Sequence, residues 1–462
     1  MIDQDVLERT LGAALSAGGD FAEVFVEDRR SSSARLDDGR IEELTSGRDR
    51  GAGIRVVRGD TTGFAHTSDL TEAGLRAAAA AAGAAARGGG GGVKEVAINQ
   101  RRTPAALDVE VLPQDVPKAR KVELLKRGED AARSLDGAIK QVAVNYGEGR
   151  RQFVVANSDG LMASHDQVRT RYGVSVMATA GDVRQTGYET AGGTVGFEIY
   201  DQVQVEDVAR VAARRAVDLL KARPAPSGQL PVVLRKGAGG VLFHEACGHG
   251  LESDLVGRDA SVFRGQVGEK VASPLVNLVD DGTYAREWGT YEVDDEGHAA
   301  QRNVLIRDGE LTDYMWDFLR ARKDGRESSG NGRRQSYQHL PMVRMTNTYV
   351  LAGVEDPDEI IRQTPYGIYC VQLGGGQVDT ATGDFVFGMT EAYLIENGVV
   401  TAPLRSANLI GNGPDVLRAI DALGDDFDTW AGTCGKDGQG VPVSSGQPTL
   451  RVAAMTVGGT GA

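Results

Sequence analysis

The sequence predicts an α+β protein, with an N-terminal α/β region followed by a β-rich C-terminal domain. Three observations carry that reading. Helix, strands and helix follow one another twice within the first 225 residues. Hairpin-turn signals recur through the remainder. Glycine is abundant, 62 of 462 residues against 14 prolines, a composition of tight turns and strands rather than of disorder.

The elements follow in order. Leu7, Leu11, Ala14 and Leu15 fall at i, i+4, i+7 and i+8, so residues 5–16 read as a helix that Gly18-Gly19 stops. Residues 22–27 alternate as a strand, Asp38-Gly39 marks a turn, and 54–57 form another strand. Ser68 is the expected cap of a helix that starts at Asp69. The five glycines at 88–92 read as a flexible link; no GK[ST] follows them, so a phosphate loop is not expected.

The second round opens with Pro117 in the first turn of a helix running to about Leu135. Residues 153–156 form a strand, and Asp159-Gly160 is its hairpin turn. Val168, Thr170, Tyr172, Val174 and Val176 alternate with Arg169, Arg171, Gly173 and Ser175 as a half-buried strand. Val205, Val208, Ala212, Ala216 and Leu219 mark the closing helix. Residues 223–228 read as a linker, which gives domains at 1–225 and 229–462; the first divides again into 1–110 and 113–222 if each round is a subdomain. The second domain has turn signals at Asp281-Gly282, Asp308-Gly309 and Asn397-Gly398, with helices expected near 237–250 and 413–423.

Fifty-one Lys and Arg against 65 Asp and Glu leave a net charge of −14, which argues against nucleic-acid and anionic-membrane partners. The longest apolar run, 77–86, is mostly alanine and far short of the ~18 residues of a membrane span. Cys247, Cys370 and Cys434 are too few and too odd in number for a disulfide framework, and the acidic N-terminus is no secretory signal. The expectation is a cytoplasmic protein.

Chemistry concentrates at His244-Glu245-Ala246-Cys247-Gly248-His249. Six histidines exist, and two lie here five residues apart with a carboxylate beside the first. Two imidazoles can hold a divalent metal, and a neighbouring carboxylate can take a proton from water activated by it. On a regular α-helix an i, i+5 pair is about 140° apart. For both to reach one metal, the helix must under-wind in a π-bulge or end within the motif; Gly248 and Gly250 ease either distortion. A third ligand is needed. Cys247, Glu252 and Asp254 are local candidates; Cys434, in the glycine-dense loop 432–440, His298 and His339 are distant ones. Spacing alone does not choose among them.

Arg320, Arg322, Lys323, Arg326, Arg333 and Arg334 read as a solvated loop, and Asp294, Asp295 and Glu296 as a solvated turn. His66, His165 and Cys370 read as structural.

HEACGHGLESD (244–254) and GTCGKDGQGVPVSSGQPTLRV (432–452) resemble the TldD/PmbA family of metalloproteases, its TldD branch in particular. The stretches 47–71, 330–350 and 383–398 support the likeness, which spans nearly the whole chain. It implies a zinc peptidase whose metal ligands are His244, His249 and Cys434 and whose general base is Glu245. The family's non-catalytic branch lacks HExxxH, so this chain falls on the active side. The resemblance further implies unfolded or flexible peptide substrates and a dimer enclosing a cavity, either of like chains or with a TldE/PmbA-type paralogue. Two competing readings are a non-enzymatic modulator or binding protein with a structural metal, and a different metal-dependent hydrolase.

Overall fold

A computed structural model describes residues 2–86, 94–103 and 108–459. The glycine run 88–92 lies outside the described residues. Helix α1 (Gln4–Leu15) buries Leu7, Leu11, Ala14 and Leu15 on one side. Strands β1 (Phe21–Asp37), β2 (Arg40–Arg58) and β3 (Thr61–Thr67) follow as an antiparallel meander. Asp38 and Gly39 take φ of 49° and 84° at the first hairpin, the left-handed pair that a two-residue turn requires. Helix α2 (Glu72–Ala85) begins later than the expected Asp69. The Asp69 carboxylate accepts from the Thr71 N–H, and Thr71 is the cap, its hydroxyl accepting from Gly74.

The second round comprises β4 (Gln100–Arg102), α3 (Lys118–Arg133), β5 (Ile139–Asn157), β6 (Leu161–Ala180), β7 (Val183–Gly193), α4 (Ile199–Gln202) and α5 (Val205–Leu219). Both rounds share one sheet of order β3-β2-β1-β5-β6, with β7 and the short β4 also paired to β6. β1 and β5 run antiparallel from Glu23↔Asn157 to Asp37↔Ala143. Helices α1 and α2 cover one end of these long strands, over Val24, Ile54 and Val56. Helices α3 and α5 cover the other, over Leu36, Val144, Tyr172 and Val174.

The opposite face of the first end packs on the C-terminal half, where Phe25, Phe153 and Val155 meet Val293 and Tyr337. Residues 21–27 are therefore buried on both faces. Glu23 and Glu27, which strand alternation alone would turn to water, are 1% and 2% exposed. Residues 40–50 of β2 are exposed throughout, and their outer edge has no strand partner among the described residues.

The second half begins with β8 (Arg223–Pro224) and β9 (Gly228–Leu234); β8 pairs into the C-terminal sheet. Then come β10 (Leu278–Asp281), β11 (Arg302–Arg307), β12 (Glu310–Leu311), β13 (Gly332–Arg333), β14 (Met342–Val343) and β15 (Asn347–Val350). The chain closes with β16 (Tyr366–Val378), β17 (Asp384–Glu396), β18 (Val399–Arg405), β19 (Ala407–Asn412), β20 (Ile420–Leu423), β21 (Asp428–Lys436), β22 (Gln439–Gln447) and β23 (Leu450–Gly459). One sheet has the order β16-β9-β23-β19-β17-β18-β8, with β20 on β23; another runs β12-β11-β10-β15-β22-β21. The main core gathers Leu242, Phe243, Phe263, Met345 and Phe387.

Asp308-Gly309 and Asn397-Gly398 have positive φ at both residues, as their turns require. The helix expected over 413–423 is a correction: it spans only Gly413–Arg418. From Ile420 the chain pairs with Val452 as a strand, because Ile420, Ala422 and Leu423 are buried there by sheet neighbours rather than by a helical stripe.

Candidate metal centre

The segment expected as one helix over 237–250 changes its winding repeatedly. Ala238–Gly240 is a 3-10 turn, Val241–Phe243 a single α turn, His244–Gly248 a π turn, and His249–Leu251 a 3-10 turn again. The His249 N–H reaches the His244 carbonyl, an i to i+5 bond. This under-winding closes the angle between the two histidines, whose ring centroids lie 5.0 Å apart with planes at 83°. Gly248 makes room for it: a Cβ there would lie 2.2 Å from Met345 Sδ.

The third group comes from the end of β21. Cys434 Sγ is 3.5 Å from His249 Nε2. The donor atoms of His244, His249 and Cys434 all lie within 4.8 Å of one another, and all three residues are buried. Arg344, fully buried, donates to the Cys434 and Gln439 carbonyls and so fixes the β21–β22 hairpin. Glu245 stands beside the cluster, its Oε2 3.9 Å from His249 Nε2 and its side chain 23% exposed, so water reaches it.

Behind the cluster, His249 Nδ1 lies 3.0 Å from Glu252 Oε2. Lys436 Nζ donates to the same oxygen at 2.9 Å and to Asp254 at 2.7 Å. Burial pushes the Glu252 carboxyl up, but Lys436 and His249 outweigh it and hold it at about 2. Burial also opposes ionisation of Cys434, yet His244 and His249 keep that thiol well below its ordinary range. That direction favours the thiolate, the form that binds metal. His244 Nδ1 is buried and has no hydrogen-bond partner among the described residues. Two imidazoles, one of them with an orphaned ring nitrogen, and a cysteine sulfur fit a zinc-type ion.

The other candidates lie elsewhere. Cys247 Sγ donates to the Phe243 carbonyl at 3.1 Å in the apolar core, and burial pushes its thiol up to about 12. His298 stacks on Phe318, and His339 Nδ1 meets Ser336 Oγ. Glu252, a candidate ligand by spacing, instead buttresses His249. Lys436, which spacing does not single out, buttresses Glu252. An acidic residue three positions after a candidate ligand histidine is the available signal.

The two charged stretches are corrected in part. Phe318–Lys323 is a short helix rather than a loop, and Arg322, Lys323 and Arg326 are exposed as expected, the first two pairing with Asp159 and Asp60 of the N-terminal region, while Arg333 and Arg334 are buried, 4% and 1% exposed. Asp294, Asp295 and Glu296 are buried as well. Glu296 pairs with Arg55 and Asp295 with Arg151, each at 2.8 Å, and Arg55 and Arg334 both pair with Glu23. Local reading sees only a run of like charge, because the compensating partners come from distant strands of the N-terminal sheet.

A buried His₂Cys donor set with a water-accessible carboxylate beside it is compatible with a metal-dependent hydrolase. Comparison with known proteins agrees. Models of the PmbA/TldA metallopeptidase match residues 22–86 (domain 1), 112–220 (central domain) and 227–459 (C-terminal domain). The chain belongs to this PmbA/TldD metallopeptidase family, on its TldD side. It is 40% identical to a protein named metalloprotease TldD homolog from Haemophilus influenzae, over 96% of this chain and 93% of that one. It is 26% identical to a zinc metalloprotease TldD homolog from Saccharolobus solfataricus, over 96% and 97% of the two chains. Among solved structures it resembles a protein from Thermotoga maritima described as a candidate modulator of a DNA gyrase, with a TM-score of 0.81, 19% identity, and coverage of 98% of this chain and 100% of that one. TldE from Thermococcus kodakarensis matches with a TM-score of 0.79, 19% identity, and coverage of 98% and 100%. At such identity these two likenesses bear on fold alone. Among the described residues no helix is long and apolar enough to cross a membrane.

Proposed function

We propose that this chain hydrolyses unfolded or flexible peptides, using one zinc ion held by His244, His249 and Cys434 and Glu245 as general base. The observation that carries the reading is the convergence of two imidazoles and a thiolate, His249 and Cys434 being 185 residues apart in sequence, beside a carboxylate open to water. Three protein ligands are the number that leaves a catalytic zinc a position for water or substrate. A zinc ion bound there supplies Lewis acidity to the scissile carbonyl and lowers the pKa of a water molecule towards ~7. Glu245 accepts the water proton and returns it to the leaving amine. Glu252 accepts the Nδ1–H of His249, which leaves Nε2 facing the cluster.

Breadth of substrate fits the strand arrangement. β21, which carries Cys434, is the outermost strand of its sheet. An extended peptide laid along such an edge is read by its main chain rather than its side chains. We place the reaction in the cytoplasm, where reducing conditions keep Cys434 free. The unpaired edge at 40–50 supports association with a second chain, either a copy of this one or a TldE-type paralogue.

The test is metal analysis together with cleavage of an unstructured peptide, by the chain alone and co-expressed with such a paralogue. One zinc per chain and cleavage abolished by chelator are expected. Cleavage that persists in metal-free protein would overturn the reading.

A further inference from the structure

A cavity of about 270 Å³ lies between the N-terminal sheet and the β21–β22 hairpin. Its wall carries Arg29, Arg150, Arg151, Arg169, Arg333 and Arg334. Four of these have carboxylate partners. Arg150 pairs with Asp166, Arg151 with Glu27 and Asp295, Arg334 with Glu23, and Arg29 stands 3.6 Å from Glu27. Arg169 and Arg333 have no carboxylate within ion-pair distance among the described residues. Arg169 donates to the carbonyls of Trp288 and Thr290 and to Gln167 Oε1; Arg333 donates to the carbonyls of Met345 and Pro442. Neutral acceptors satisfy a guanidinium's hydrogen bonds, and the Trp288 and Tyr291 rings, 5.9 and 5.1 Å from Arg169 and Arg333, offset part of the charge without supplying an anion.

The acidic groups of the wall do not make up the difference. Asp295 is committed to Arg151 and to the Arg334 N–H. Asp294 accepts the N–H groups of Glu296, His298 and Gly332, and burial beside Glu296 raises its pKa, which weakens its charge. Burial, and then Arg333, Arg151 and Arg29, likewise press on the Arg169 cation. An independent observation points the same way. Arg334 Nε and Nη1 and both ring nitrogens of His165 are buried without a hydrogen-bond partner among the described residues, and both residues line the cavity. The two Arg334 N–H groups and the single N–H of a neutral His165 are donors, and with cations lacking anions they call for the same occupant, an oxyanion.

We propose that this cavity is a substrate subsite that binds the terminal carboxylate of the peptide. The identity of the occupant rests on the peptidase reading above. Thr433 and residues 440–442 of the cavity wall belong to the hairpin that holds Cys434. Successive residues of a strand face opposite sides, so Thr433 meets the cavity while Cys434 meets the histidines. β21 is the last strand of its sheet, so under this proposal a chain anchored in the cavity would cross that edge towards Cys434. The small volume suits an end group rather than a folded element. A free inorganic oxyanion has the same chemistry, and the test separates the two sources.

The test is equilibrium binding of a dye-labelled, unstructured hexapeptide, as free acid and as C-terminal amide, to metal-loaded Glu245→Gln protein. Free acid is expected to bind about tenfold more tightly than amide, the size of one lost charge-assisted contact. Arg169→Gln brings the two within about twofold by the same arithmetic, the acid losing more than the amide. Arg29→Gln, at a more exposed position, does the same if Arg169→Gln fails to fold. Acid and amide binding alike in the parent protein overturns the proposal. If they bind alike while inorganic phosphate raises the Tm of the parent and not of Arg169→Gln, the cavity takes a free oxyanion and the assignment to a peptide terminus is overturned. The readout is binding, so failure of the peptidase reading shows separately, as absent cleavage with the acid preference intact.

Discussion

Nδ1 of His249 lies 3.0 Å from Oε2 of Glu252, on the side of the ring away from Cys434. This contact fixes the tautomer and the ring orientation, and Lys436 fixes Glu252 in turn. Glu252→Gln is expected to fold and to bind zinc 10- to 100-fold more weakly, in order of magnitude about the usual cost of losing such an outer partner. Competition against a chromogenic chelator measures it; unchanged affinity would show that the carboxylate is only structural.

Lys436→Met leaves Glu252 and Asp254 buried without their shared cation. Breaking a buried pair in this way costs about 3–5 kcal/mol. Denaturant unfolding of the metal-free protein should show a loss of this order, whereas a loss under ~1 kcal/mol would place the lysine among ordinary surface pairs.

The two cysteines near the motif should behave oppositely. Cys434→Ser is expected to lose zinc, because its thiolate is one of the three converging donors. Cys247→Ser is expected to keep zinc, because that thiol is protonated and turned to the Phe243 carbonyl. Metal content after dialysis decides, and the reverse pattern would move the third ligand to Cys247.

Gly248→Ala places a methyl 2.2 Å from Met345 Sδ, so either the π turn or the methionine must move. Overpacking of this kind costs about 1–3 kcal/mol. The smaller Met345→Val should recover part of that loss when combined with Gly248→Ala, which a double-mutant cycle detects as coupling. Additive losses would mean that the two residues do not compete for space.

His165 carries a pH dependence. Burial, and then Arg169 and Arg151, lower its pKa to about 4 from the usual 6.5. A lowered histidine pKa means that the unfolded chain takes up the proton first. Stability from this residue is therefore complete above about pH 6.5 and is lost as pH falls towards 4, by about 3 kcal/mol in all. His165→Leu should flatten the fall in Tm between pH 6.5 and 4 in anion-free buffer; an equally steep fall in the variant would assign it to other groups.

Much of the centre is legible in the order of residues alone, for a geometric reason. Histidines five apart cannot face one ion from a regular helix, so the spacing itself calls for the π turn seen at His244–Gly248. The partner of that pair is not legible from spacing. Cys434 is one of several candidates until the hairpin brings it to the histidines, and only the family resemblance prefers it. Elements with one solvated face, such as α5 and β6, show themselves by period. β1 does not reveal its full length or its buried acids, because residues 21–27 are covered on both faces and Glu23 and Glu27 meet arginines from far along the chain. Ile420–Leu423 reads as helix because a four-residue apolar run carries too little periodicity to separate the two conformations.

The central claim is that His244, His249 and Cys434 share one metal ion with room for one further ligand. X-ray absorption at the zinc edge of the purified protein tests it most directly. The predicted shell holds one sulfur at about 2.3 Å and two imidazole nitrogens near ~2.0 Å, plus one light atom, with the sulfur lost in Cys434→Ser. A shell without sulfur, or one with two sulfurs, contradicts it.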